Sequence, residues 1–172
     1  MFTGERYQYF ILFCLVWLLG SYSITFAQKS QKNISSSVTT QSHIKRINQE
    51  LTKARGLLNK SPEKAMRYVQ KALIRSQKYK YTLGEAKALG LWGEFYMAQT
   101  LHEKALEYFL EQLKAYKKLD NAFGIANTYN RIALLYRRQR LYKKTIEYSE
   151  LALQIALKNG YKKEVGAAYN NL

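Results

Sequence analysis

The chain has almost none of the residues that usually carry catalysis or bind metals. Among its 172 residues there is one cysteine, Cys14, and there are two histidines, His43 and His102. Cys14 lies inside an apolar run near the N-terminus, so the chain has neither a disulfide framework nor a Cys-based zinc site. No Gly-rich phosphate loop, nucleophile elbow or paired-histidine zinc motif occurs. We therefore expect a protein that is not an enzyme and that uses no metal or cofactor.

Proline and strand-like punctuation are also scarce. Pro62 is the only proline, and the nine glycines are scattered. Because no strand–turn pattern recurs, a β-sandwich or a doubly wound sheet is excluded. The bulk of the chain is rich in Ala, Leu, Lys, Glu, Gln and Tyr, a composition that favours helices. We predict an all-α fold.

The longest apolar run is short and lies near the N-terminus. Residues 10–19 are apolar and are followed by the small-residue exit Thr25-Phe26-Ala27, which is typical of a secretory signal peptide. The run is shorter than the roughly 20 residues that a membrane-spanning helix needs. We predict a signal peptide at 1–27, cleavage after Ala27, and a periplasmic or extracellular location. An uncleaved segment, or a chain that continues past Leu172, would leave the protein anchored in a membrane.

Residues 28–43 are rich in Ser, Thr and Gln, and they predict a flexible polar spacer. After the spacer, similar residues recur 40 residues apart. Two such series are Ala65, Ala105 and Thr145, and Tyr68, Tyr108 and Tyr148. Within each period, apolar residues recur at three- and four-residue steps and so share one helix face. The pattern predicts helix pairs at about 44–81, 82–121 and 122–161, with a partial fourth pair from residue 162.

These helix pairs resemble the tetratricopeptide repeat. The resemblance rests on Leu89, Trp92, Gly93, Tyr96, Ala105 and Phe109 in one pair, and on Tyr129, Ile132, Ala133, Tyr136 and Thr145 in the next. The resemblance implies that these residues pack the repeats into a right-handed α-solenoid of antiparallel helix pairs, a tetratricopeptide-like superhelix, across 44–172. The period exceeds the roughly 34 residues of the common unit. We attribute the surplus to longer helices and to a longer loop between units.

The resemblance also implies a function. Arrays of this kind bind proteins or peptides in a concave groove lined by the first helix of each pair, so we expect a binding scaffold. By register, the groove residues are Lys87, Glu94, Met97, Asn127, Asn130, Leu134, Arg137, Arg138 and Asn170.

Acidic residues are too few to balance the basic ones. The chain has 28 Lys and Arg but 12 Asp and Glu, a formal net charge of +16. Such an excess favours acidic partners or anionic surfaces. The densest cluster, residues 137–144, spans the turn inside the third pair. We expect an acidic protein or peptide, or an anionic envelope surface. Nucleic acid is disfavoured for an exported protein, and no small-molecule substrate is expected.

Two other functions stay open. The chain ends at Leu172, inside the first helix of the fourth pair, where an array normally has a polar cap. This favours, as an alternative, the N-terminal sensory region of a longer signal-transduction protein with a histidine-kinase or transcriptional-regulator output. An enzyme accessory domain is a third interpretation. The coding sequence beyond Leu172 would distinguish among them.

Overall fold

In the computed structural model, the described residues, 38–172, are almost entirely helical. Their seven helices are α1 at 38–57, α2 at Pro62–Lys78, α3 at Thr82–Ala98, α4 at His102–Lys118, α5 at Ala122–Arg138, α6 at Tyr142–Asn159 and α7 at Lys162–Asn171. No strand occurs in this range, so the predicted all-α class is confirmed. The predicted signal peptide lies outside the described residues. Between 38 and 172, no helix combines the length and apolar character needed to cross a membrane.

Residues His43–Leu172 form one compact unit. From α2 onward, each helix packs against the next one, and α5 also packs against α7. The antiparallel pairs stack into the solenoid that the repeat predicts, because a helix pair with one apolar face can bury that face only against its neighbours.

Helices α2 to α7 begin 20 residues apart, at 62, 82, 102, 122, 142 and 162. The helices α2 to α5 each have 17 residues. Three residues join each of them to the next helix, both within a pair and between pairs. The expectation of a longer loop between units is therefore wrong. The extra length of the unit lies in the helices.

The same backbone turn ends α2 through α6. The left-handed region is occupied by Lys80, Thr100, Asp120, Arg140 and Gly160, with φ between 48° and 70°. The following residue donates its N–H to the carbonyl five residues earlier, as Leu101 does to Tyr96 at 3.0 Å. This is the Schellman pattern. The carbonyl of Leu101 then accepts the first bond of α4, from Ala105 N at 3.0 Å. One residue thus ends one helix and begins the next, which is why the joints are so short.

Helix α1 begins inside the predicted spacer. Residues 38–43, which we predicted to be flexible, are helical. Polar side chains do not exclude a helix when they bond its backbone, as Ser42 Oγ does to the Thr39 carbonyl at 2.7 Å. Further along, Ile47 and Leu51 are buried in a core cluster with α2 and α3. Helix α1 therefore serves as the first helix of the first pair.

The motif residues lie at the contacts between helices. Seven of them are buried, Gly93, Ala105, Phe109, Ile132, Ala133, Tyr136 and Thr145, and four are half-buried, Leu89, Trp92, Tyr96 and Tyr129. The Phe109 ring has no exposed surface and lies where a Cβ on residue 93 would stand. Only glycine at 93 lets α3 and α4 approach this closely.

Replacing Thr100 by glycine should stabilise the fold. A β-branched residue in the left-handed region costs roughly 1–2 kcal/mol, part of which is offset because glycine makes the unfolded chain more flexible. We expect the free energy of unfolding, measured by urea denaturation, to rise by about 1 kcal/mol. Gly160→Ala is the matched reverse change. Nothing lies within 4 Å of an added Cβ there, so the expected loss of about 1 kcal/mol comes from the backbone alone. A Thr100→Gly chain that is no more stable would contradict this account of the turns.

Candidate functional site

The first helices of the pairs, α1, α3, α5 and α7, share one side of the array and enclose a cavity of about 430 Å³. This size falls in the range of ligand pockets. Its apolar surface comes from Leu51, Leu91, Tyr116 and Phe123, and its basic groups are Arg55, Lys87, Arg131 and Lys163. We call this cavity the central pocket.

A charged pair links α3 and α5 beside the central pocket. Arg131 forms an ion pair with Glu94 and donates its Nε–H to Asn127 Oδ1 at 2.8 Å. The Glu94 and Arg131 side chains are 20% and 18% exposed, so solvent screens their attraction only in part. Arg55 of α1 approaches the same carboxylate at 3.6 Å but is 59% exposed. Glu94 therefore connects the first helices of three successive pairs.

A buried carboxylate links α5 to α7. Glu164 is 1% exposed. Its carboxylate accepts hydrogen bonds from the amides of Asn127, at 3.3 and 3.2 Å, and of Asn130, at 3.2 Å. The Asn130 amide also donates to the Glu164 carbonyl at 2.9 Å, and Asn171 donates to the Asn130 carbonyl at 3.0 Å. These bonds satisfy a buried charge with neutral donors.

The repeat itself makes room for this carboxylate. One period earlier the equivalent position holds Gly124, where an added Cβ would overlap the Tyr116 ring of α4. In the next period Ala156 replaces that tyrosine, and Glu164 replaces the glycine. The two helices exchange their large and small side chains, which conserves the packed volume. This exchange is visible in the sequence once the 40-residue alignment is written out, but our sequence analysis did not use it.

Several predicted groove residues are engaged inside the protein. Glu94, Asn127 and Asn130 belong to the two networks above. Arg137 donates to the Asn170 carbonyl, which joins the far ends of α5 and α7. Met97 is 9% exposed and lies in a core cluster with Phe109 and Tyr136.

The remaining predicted residues lie on cavity surfaces. Lys87 lines the central pocket, and Leu134 lines a smaller cavity of about 250 Å³ between α5 and α7. Arg138 borders a third cavity, of about 440 Å³, near the turn between α1 and α2. Our register missed four polar residues of the central pocket, Arg55, Arg131, Lys163 and Glu164. The position of Arg131 holds Leu91 one period earlier, so the pattern indicated packing there.

No group of three or more His, Cys, Asp or Glu side chains within 38–172 is placed to hold a metal ion. His43 instead lies on α1, where its ring stacks on Tyr79 with the centroids 4.0 Å apart. The Tyr79 hydroxyl and His43 Nε2 are 2.8 Å apart.

Aromatic rings and lysines repeat along the array. The Tyr96 and Tyr108 rings stack at 5.3 Å, and Tyr136 and Tyr148 approach to 5.4 Å one period later. Lys104 Nζ lies 5.5 Å from the Tyr96 centroid, and Lys144 repeats the contact on Tyr136 at 5.0 Å. Burial raises the pKa of Tyr108, and the nearby Tyr96 and Glu107 raise it further. Burial likewise raises the pKa of Tyr148.

These tyrosines predict a loss of stability in alkali. A raised pKa means that the folded chain keeps a proton that the unfolded chain has released. The free energy of unfolding should therefore fall as the pH rises above about 10, from the unfolded toward the folded pKa. Tyr108→Phe combined with Tyr148→Phe should flatten this decline in urea titrations. Tyr142→Phe, at a ring that is 62% exposed, is the control and should leave the slope unchanged. An equally steep decline in the double variant would contradict the assignment.

Removing the Arg131 guanidinium should destabilise the fold. Arg131→Gln leaves the partly buried Glu94 carboxylate without its main partner, so we expect a loss of about 2 kcal/mol in the free energy of unfolding. Arg55→Gln removes the exposed partner and should cost less than about 0.5 kcal/mol. A double-mutant cycle with Glu94→Gln should show a coupling of about 1 kcal/mol or more. Additive effects would show that the pair contributes nothing.

Comparison with known families supports the repeat assignment. A family model described as "Tetratricopeptide repeat" matches residues 84–158. The match runs from the first turn of α3 to the last turn of α6 and contains both motifs on which the resemblance rests. No curated protein matches the chain.

Proposed function

Since residues 84–158 belong to the tetratricopeptide repeat family, we propose that the chain is a scaffold whose groove binds a protein or peptide partner. Members of this family are typically non-catalytic interaction scaffolds. The arrangement of side chains in the central pocket supports the same role. It offers charge and apolar surface for binding, and the residues around it form no metal cluster within the described part of the chain.

The observation that carries this proposal is the charge left over in the central pocket. Glu94 and Arg131 neutralise each other, and Glu164 is enclosed by amides. Lys87 and Lys163 line the same pocket, and no carboxylate of residues 38–172 pairs with either of them. Unpaired ammonium groups beside an apolar surface suit a peptide that presents a carboxylate next to an apolar side chain. The partner is therefore acidic.

Export is part of the proposal. The apolar run at 10–19 and the exit at Ala27 support delivery to the periplasm or the exterior. An anionic envelope surface is the second partner, because the net charge of +16 attracts such surfaces. The alternative, a sensory region of a longer signalling protein, would use the same groove and stays a prediction.

Charge reversal in the pocket tests the groove. Against an array of acidic peptides with interspersed apolar residues, and a matched array with Asn and Gln in place of Asp and Glu, the unchanged chain should prefer the acidic set. Lys87→Glu with Lys163→Glu should weaken the best peptide at least about tenfold in fluorescence anisotropy, because two attractions become repulsions.

The matched control is Lys71→Glu with Lys114→Glu, which reverses two exposed charges on the second helices α2 and α4. This variant should retain nearly full affinity. If both variants lose affinity equally, net charge and not the pocket holds the peptide. If neither loses it, the groove assignment is wrong.

A further inference from the structure

The turn between α5 and α6, residues 137–144, is the densest basic cluster of the chain; we call it the basic turn. It contains Arg137, Arg138, Arg140, Lys143 and Lys144. No acidic residue occurs between Asp120 and Glu147. The positive charge of the basic turn is therefore not neutralised by its neighbours in the sequence.

The cations of the basic turn are free in the folded chain. Arg138, Arg140, Lys143 and Lys144 are exposed, and none of them pairs with a carboxylate of residues 38–172. Lys144 lies over the Tyr136 ring, which leaves its ammonium group at the surface. Arg140 occupies the left-handed position of the Schellman turn, so its backbone is held in one conformation.

Two apolar side chains project from the same turn. Leu141 is 44% exposed and Tyr142 is 62% exposed. Leu101, at the equivalent position one period earlier, is also 44% exposed. Equivalent turns of a solenoid lie along one edge, so the three apolar groups and the free cations share that edge.

We propose that the basic turn docks the protein on an anionic lipid bilayer. Its cations would contact headgroup phosphates, while Leu141 and Tyr142 enter the interface, where leucine gains from burial and tyrosine keeps its hydroxyl in contact with water. Exposed apolar groups among cations favour a bilayer over nucleic acid, because phosphate contacts along a duplex use cations alone. This contact goes beyond the groove and does not depend on it.

The opposite edge of the array lacks this combination. The turn between α4 and α5 holds Lys117 and Lys118, but Asp120 stands in the same turn. Lys117 also lies over the Tyr129 ring, 5.9 Å from its centroid. Phe123, 48% exposed, lies near this turn at the other end of α5. It therefore provides a matched aromatic position away from the proposed surface.

A local probe in the full chain tests the docking. Tyr142→Trp is mixed with vesicles of phosphatidylglycerol and phosphatidylcholine whose acyl chains are brominated, and bromine quenches tryptophan that reaches the interface. We expect quenching beyond the background that Trp17 and Trp92 give in the unchanged chain. Phe123→Trp should show no such excess, and neither variant should show it on pure phosphatidylcholine. Equal quenching at 142 and 123, or equal quenching on both vesicle types, would overturn the proposal.

Charge removal supplies the second arm. Replacing Arg138, Arg140, Lys143 and Lys144 by glutamine should weaken binding of the Tyr142→Trp chain to the anionic vesicles at least about tenfold. Replacing Lys117, Lys118, Lys158 and Lys162 by glutamine removes the same charge from the opposite edge and should have a much smaller effect. Equal losses would show that net charge alone attracts the bilayer. Loss of the vesicle signal on addition of duplex RNA at equal phosphate concentration would assign the turn to nucleic acid instead.

Discussion

Every helix from α2 to α6 ends in a left-handed residue, and the placement of the candidate site follows from that joint. A Schellman turn fixes where the last carbonyls of one helix point and where the next helix starts. Because the joint recurs every 20 residues, from Lys80 to Gly160, residues 40 positions apart occupy equivalent places in the stack. Four of the five joints use a residue other than glycine, so the stacking energy of the helices must exceed the backbone strain of the turns.

A fixed joint leaves only the side chains free to vary from one period to the next. At the crossings, a large residue on one helix faces a small one on the other, as Phe109 faces Gly93. The large residue can change sides, and it does so where Glu164 takes the space that Tyr116 fills one period earlier. The exchange turns an apolar contact into a buried carboxylate that binds two amides of α5. The polar networks therefore differ between periods although the backbone is the same.

The networks divide the polar groups of the groove into two sets. Glu94, Arg131, Asn127 and Glu164 hold the first helices to one another, and their hydrogen-bonding capacity is largely used inside the protein. Lys87 and Lys163 have no such partner and remain available in the central pocket. A second set of free cations lies in the basic turn, at the end of α5. The molecule thus has two separate cationic surfaces, one concave and one at an edge, and they suit different partners.

The sequence by itself determined the helical class, the 40-residue period and the residues that pack the repeats. These depend on local periodicity, which a linear pattern records directly. Only the tertiary structure decided which polar residues on the groove side are free and which are already bonded. Asn130 and Lys87 both lie on first helices in the 40-residue alignment, yet Asn130 bonds α7 and Lys87 meets open space. The difference arises because a hydrogen bond between α5 and α7 joins residues 34 or more positions apart. Their distance is set by how the helices stack, and no pattern within either helix records it.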